Sequence, residues 1–211
     1  MFADQTWVAK AIWALLVFFL VDALFVGNWP LAFVSVATLL LSLAPVYIGR
    51  WADVVVPPSF VAAITMFVGG TLFLGEVFDF YERFWWWDIA MHGGSAVGFG
   101  LIGFILVFMM FQGDRYAAPP LAIAFFAFCF ALAIGATWEI FEFCMDQAFG
   151  LNMQKSGLMD TMGDLIVDTF GALIGAGSGW AYLKWRMRGG LSLLIDDFVR
   201  RNPRFFRRFK R

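Results

Sequence analysis

The only histidine of this 211-residue chain, His92, follows Asp88 by four residues. Six further acids lie in or beside apolar runs: Glu139, Glu142, Asp146, Asp160, Asp164 and Asp168. Side chains three or four residues apart share one helix face. Asp88 and His92 therefore form one pair, Glu139, Glu142 and Asp146 one stripe, and Asp160, Asp164 and Asp168 another. Oxygen ligands with one imidazole suit Mg²⁺ or Mn²⁺ best, and Zn²⁺ or Fe²⁺ less well. Adjacent carboxylates repel, so several cannot ionise together in a low dielectric without protons or a cation. The expected metal ligands are His92, Glu139, Glu142, Asp164 and Asp168. The residues expected at the chemistry are His92, Glu139 and Asp164, with His92 or a free carboxylate as general base. Asp88 and Asp160 are expected as polar neighbours. Asp160 and Asp164 also suit a helix N-terminus, where the dipole favours an anion, and Asp146 suits a solvated helix end.

The elements that must position these groups are membrane helices. The chain is 62% hydrophobic and 19% aromatic, with a mean hydropathy of +0.78, and soluble domains are nearer half apolar. A spanning helix needs about 20 mainly apolar residues. Six segments qualify: Trp7–Val26, Leu31–Ile48, Ser59–Gly75, Ile89–Phe111, Leu121–Met145 and Thr161–Lys184. The fold class is all-α, a polytopic membrane bundle of about six helices over residues 1–185, followed by a basic amphipathic tail over 186–211. The run from Trp7 is too long for a signal-peptide core and no small-x-small cleavage site follows, so it reads as a retained helix. Cys129 and Cys144 fall in one expected helix, about 22 Å apart at 1.5 Å per residue, and cannot pair within the chain.

Ten of the fifteen lysines and arginines lie at or after Lys184. A basic C-terminus belongs on the cytoplasmic side. Six spans then place the N-terminus there too, with the loops carrying Arg50 and Arg115. The Asn28 loop, Glu76–Asp88 and Gly150–Asp160 fall outside. This topology delivers the polar ends of helices four, five and six to one leaflet, near the interface, and Asp22 of helix one is placed to join them. Gly94 and Gly98 on helix four, with Gly171, Gly175 and Gly179 on helix six, have small-xxx-small spacings that allow close approach. Trp85, Trp86 and Trp87 suit an interfacial anchor. The tail interleaves bases with Phe198, Phe205, Phe206 and Phe209, which suits anionic lipid headgroups at a membrane surface and not nucleic acid.

D-I-A-M-H at Asp88–His92, W-E-I-F-E at Trp138–Glu142, and D-T-M-G-D-L-I-V-D-T-F-G-A-L-I-G from Asp160 together resemble the uncharacterised bacterial inner-membrane YjdF family. They are similar, more distantly, to VanZ-like proteins. On that resemblance Asp88, His92, Glu139, Glu142, Asp160 and Asp164 fall on motif positions. Asp168 departs from the VanZ-like pattern, where asparagine would be expected. The resemblance covers about Glu76–Gly179 and implies a multi-pass protein of the bacterial inner membrane. It supplies no reaction.

Three functions fit these residues. The first is a metal-dependent membrane enzyme acting on a lipid or lipid-linked substrate. The second is a proton- or cation-coupled transporter, against which the acids gather at one face and form no path across. The third is an accessory subunit docked on a larger membrane complex. Glu-x-x-His, H-E-x-x-H and G-x-S-x-G motifs are absent, which excludes ferritin-like di-iron, zincin and nucleophile-elbow chemistry.

Overall fold

Thr6 and Asn28 begin the first two helices: Thr6 Oγ1 accepts from Ala9 N at 3.2 Å and Asn28 Oδ1 from Leu31 N at 3.2 Å. Such side-chain acceptors satisfy amides that a helix start leaves open. The computed structural model describes residues 2–114 and 116–209, so Arg115 and the last two tail bases, Lys210 and Arg211, lie outside the described residues. The helices are α1 (Trp7–Val26), α2 (Trp29–Trp51), α3 (Pro58–Val68), α4 (Phe80–Arg83), α5 (Trp87–Met110), α6 (Pro120–Phe149), α7 (Leu158–Lys184) and α8 (Ser192–Arg201). A π-helical stretch, Gly69–Val77, continues α3, and a 3₁₀ turn, Pro203–Phe206, follows α8. No strand forms among the described residues.

Five of these elements are long and apolar enough to cross a membrane: α1, α2, α3 with its π-helical continuation, α5 and α6. The sixth expected span, Thr161–Lys184, is helical within α7. At 27 residues α7 is long enough, but its three aspartates and its glycines keep it out of the apolar group. The helices also run past the expected bounds, because the ends extend into turns. Prolines at the first turns of α2, α3 and α6 need no donor there.

The chain divides into two compact units, Met1–Met91 with Arg200–Asn202, and His92–Val199 with Pro203–Arg211. In the first, α2 turns the fully buried Ser35, Thr38 and Ser42 inward, and Trp13 Nε1 donates to Ser42 Oγ at 3.1 Å. Asn202 exchanges two 2.8 Å hydrogen bonds with the backbone of Val55, in the α2–α3 connection. Asp22 is exposed on α1.

In the second unit α5, α6 and α7 pack along small residues. A β-carbon on Gly100 would stand 3.0 Å from both Ala176 N and Gly175 Cα, and one on Gly103 would stand 3.2 Å from Ala127 Cα. Approach this close is available only where side chains are missing. Gly171 and Gly175 of α7 behave as expected. Gly94 and Gly98 do not: nothing lies within 4 Å of a β-carbon at either, and it is Gly93 and Gly100 that meet α7.

The segment expected as the basic tail folds back on this unit. Phe206, tilted, and Phe209, edge-on, pack against Phe108 with ring centroids 5.2 and 5.3 Å apart, and Tyr182 Oη donates to Asp196 Oδ1 at 3.2 Å. The apolar side of the tail thus faces protein, while Arg200, Arg201, Arg204, Arg207 and Arg208 stay exposed. Arg208 lies 3.5 Å from Asp114, and its backbone N–H donates to Gln112 O at 3.3 Å. The chain after α7 has therefore returned to the connection where α6 began. α7, 27 residues long, packs along the 30-residue α6.

Candidate metal and proton site

Each of the three helices of the second unit brings its polar residues to the same end. His92 is in the second turn of α5. Glu139 and Glu142 lie in the second half of α6, and Asp164 and Asp168 in the first half of α7. The three- and four-residue spacings do what they predict, because all five side chains are buried: His92 is 7% exposed, Glu139 4%, Glu142 9%, Asp164 5% and Asp168 1%. On α7 the buried stripe continues from Asp168 into Gly171 and Gly175, so the backbone contact with α5 fixes the aspartates relative to His92.

One ligand atom each from His92, Glu139 and Asp164 lie within 4.8 Å of one another, close enough to share one ion. The imidazole is flanked on both sides. Its Nε2 lies 3.8 Å from Glu139 Oε1 and its Nδ1 lies 3.5 Å from Asp168 Oδ1. Both oxygens of Asp168 are buried without a protein donor in hydrogen-bond geometry, and the Glu139 oxygens are buried with only the Thr161 hydroxyl near them. Buried polar atoms are nearly always satisfied, so this concentration of orphaned oxygens points to a ligand or to protons.

Electrostatics point the same way. Between His92 and Asp168 the chain contains no base except Arg115 and Lys155, and Lys155 lies in the α6–α7 connection. Two carboxylates about 4 Å apart repel by roughly 4 kcal/mol at an effective dielectric of 20. One imidazole can offset one such charge, not four. The group needs a cation, or it needs protons.

The other expected residues divide by role. Glu142 accepts a 2.8 Å hydrogen bond from Trp138 Nε1 one turn earlier. Asp146 turns out to be structural: its two oxygens accept from Met153 N at 2.7 Å and Gln154 N at 2.9 Å, closing the α6–α7 connection. Asp160 is half-buried in the first turn of α7, where Gly157 at the cap position offers no side chain. Asp88 is half-buried in the first turn of α5, on the part of that helix that belongs to the first unit.

The site is also deeper than the sequence suggests. α6 runs on to Phe149 and α7 begins at Leu158. Glu139 and Asp168 each stand ten residues, about 15 Å at 1.5 Å per residue, from the near end of their helices. Sequence reasoning also missed Gly135. A β-carbon there would collide with the Asp168 carboxylate, so this glycine provides the space that the carboxylate fills. Its position four residues before Glu139, on the same face, is the signal that could have found it.

Comparison with known proteins gives a family and no reaction. A family model described as "Predicted membrane protein (DUF2238)" matches residues 5–185, which takes in every helix from α1 to α7. A Thermotoga maritima protein described as uncharacterized is 30% identical over 98 residues, 46% of this chain and 50% of that protein. The chain thus matches half the length of that relative. No solved structure matches.

Proposed function

Because the chain belongs to the DUF2238 family of predicted membrane proteins, we propose that it is a multi-pass protein of the bacterial inner membrane whose second unit holds a divalent cation and uses it on a lipid or lipid-linked substrate. We take this to be the family that the Asp88–His92, Trp138–Glu142 and Asp160–Gly175 motifs resemble under the name YjdF. The observation that carries the reading is the convergence of His92, Glu139 and Asp164 within 4.8 Å, with both Glu139 oxygens buried.

His92 would supply the nitrogen and Glu139 and Asp164 the oxygens of a site suited to Mg²⁺ or Mn²⁺. Such a cation, when bound, polarises a phosphoryl or carbonyl oxygen. Glu142, three residues after Glu139 on the same face, is the carboxylate placed to take a proton, and its bond from Trp138 fixes its direction. Beyond the cluster, α5, α6 and α7 carry no acid or base until Lys184. That favours a site open to one leaflet over a relay through the membrane. The orientation that fits the basic C-terminus has both termini in the cytoplasm and the cluster toward the outer leaflet, with the exposed tail arginines near anionic headgroups.

The test is turnover in proteoliposomes. Full-length protein is incubated with Mn²⁺ and a panel of lipid phosphates and lipid-linked phosphates, and release of phosphate or headgroup is followed. The expected result is turnover that chelation stops and that Asp164→Asn reduces at least 100-fold. Turnover at the wild-type rate in Asp164→Asn, or none with any member of the panel, contradicts the enzymatic reading.

A further inference from the structure

With His92 read as a cation ligand, the two sides of its ring cannot do the same work. Glu139 faces Nε2 and belongs to the three-residue grouping; Asp168 faces Nδ1 and does not. Asp168 was expected from the sequence among the metal ligands. We propose that it is instead a positioning residue for His92, accepting a hydrogen bond from Nδ1–H and so leaving the Nε2 lone pair for the ion.

Three observations support this role. Asp168 is 1% exposed and neither of its oxygens has a protein hydrogen bond, so the imidazole at 3.5 Å is the donor within reach. Its carboxylate fills the space that Gly135 leaves on α6, which restricts where it can turn. Its backbone lies one turn before Gly171, where a β-carbon would stand 2.6 Å from Gly93 O, the residue next to His92. Asp168 and His92 are therefore held beside a close backbone contact between α5 and α7. A ligating histidine ordinarily gives its other N–H to a carboxylate or carbonyl, which fixes tautomer and orientation. Asp168, 3.5 Å from Nδ1, is placed to be that carboxylate.

The chain has one histidine, so ¹⁵N-histidine labelling of full-length protein, purified on a tag free of histidine, reports His92 without assignment. The expected spectrum at pH 9 without metal is a ring protonated at Nδ1 and bare at Nε2. Asp168→Ala is expected to abolish that preference and to weaken Mn²⁺ binding about 10–100-fold. Gly135→Ala, which removes no polar atom, should displace the carboxylate and shift the spectrum in the same direction, while Gly94→Ala should match wild type. A wild-type ring protonated at Nε2, or at both nitrogens, overturns the inference whether or not any variant folds. So does a tautomer unchanged in Asp168→Ala. Failure of the cation reading looks different: no protein binds Mn²⁺, yet the Nδ1–H tautomer is present and depends on Asp168.

Discussion

A methyl group on Gly171 would stand 2.6 Å from the carbonyl oxygen of Gly93. Two helices meet there by backbone alone, one residue from His92 and three from Asp168. Gly175 repeats the contact one turn on, against the carbonyl of Val97. Gly171→Ala and Gly175→Ala are therefore expected to push α7 away from α5, at a cost of about 1–3 kcal/mol from overpacking. Gly94→Ala, with open space around it, should be neutral or stabilising by about 0.5–1 kcal/mol, the usual gain over glycine inside a helix. Thermal unfolding in one detergent compares the three; equal midpoints would contradict the packing.

Glu139 places a carboxyl group in a buried position close to the Asp168 carboxylate. In chelator, Glu139→Gln should unfold at a higher temperature than wild type, because it replaces a buried acid crowded by other acids with a neutral amide. In excess Mn²⁺ the order should reverse. A ligand at 100 times its Kd stabilises by about 2.7 kcal/mol, and the variant has lost one of three ligands. Melting curves with and without Mn²⁺ check both signs, and a variant that is less stable in both conditions would argue for a purely structural glutamate.

Asp146 closes the α6–α7 connection through two backbone amides. Asp146→Ala should cost about 2 kcal/mol, as expected for hydrogen bonds to a charged acceptor. The loosened loop should be cut faster by trypsin at Lys155. Metal content should not change, which separates this acid from its neighbours on the same stripe.

The contact of Arg208 with Asp114 puts the C-terminal segment at the same end as the α5–α6 connection, which is where a membrane-crossing α7 would deliver it. In a background with Cys129 and Cys144 replaced by alanine, single cysteines at Ser156, Ala117 and Arg207 can be probed with an impermeant thiol reagent on intact cells. Ser156→Cys should label directly. Ala117→Cys and Arg207→Cys should label only after the membrane is opened. Labelling of positions 156 and 207 from the same side would remove the sixth span.

Much of this was legible in the sequence, and the exceptions have physical causes. Long apolar runs gave the helices, and the i, i+3 and i, i+4 spacings of the acids gave the buried stripes, because both depend on one helix at a time. The partner face of α5 was not legible. Gly93, Gly94 and Gly98 are all glycines, and only the rotation of α5 against α7 decides that Gly93 and Gly100 touch while Gly94 and Gly98 do not. Asp146 looked like a solvated end residue because its partners are backbone amides seven and eight residues on, which no side-chain pattern reveals. The separate role of Asp168 depends on which nitrogen of His92 it faces, and that is a property of three helices together.

The central claim is that His92, Glu139 and Asp164 hold one divalent cation, and metal stoichiometry tests it most directly. Full-length protein in mild detergent is saturated with Mn²⁺, passed through a desalting column and assayed for metal and for the Mn²⁺ electron-spin resonance. The account predicts about one Mn²⁺ per chain in wild type, with nitrogen hyperfine coupling from His92, and loss of the ion in Glu139→Gln and Asp164→Asn proteins that remain folded. Wild-type protein without Mn²⁺ above the detergent blank, or variants that retain it fully, would contradict the claim.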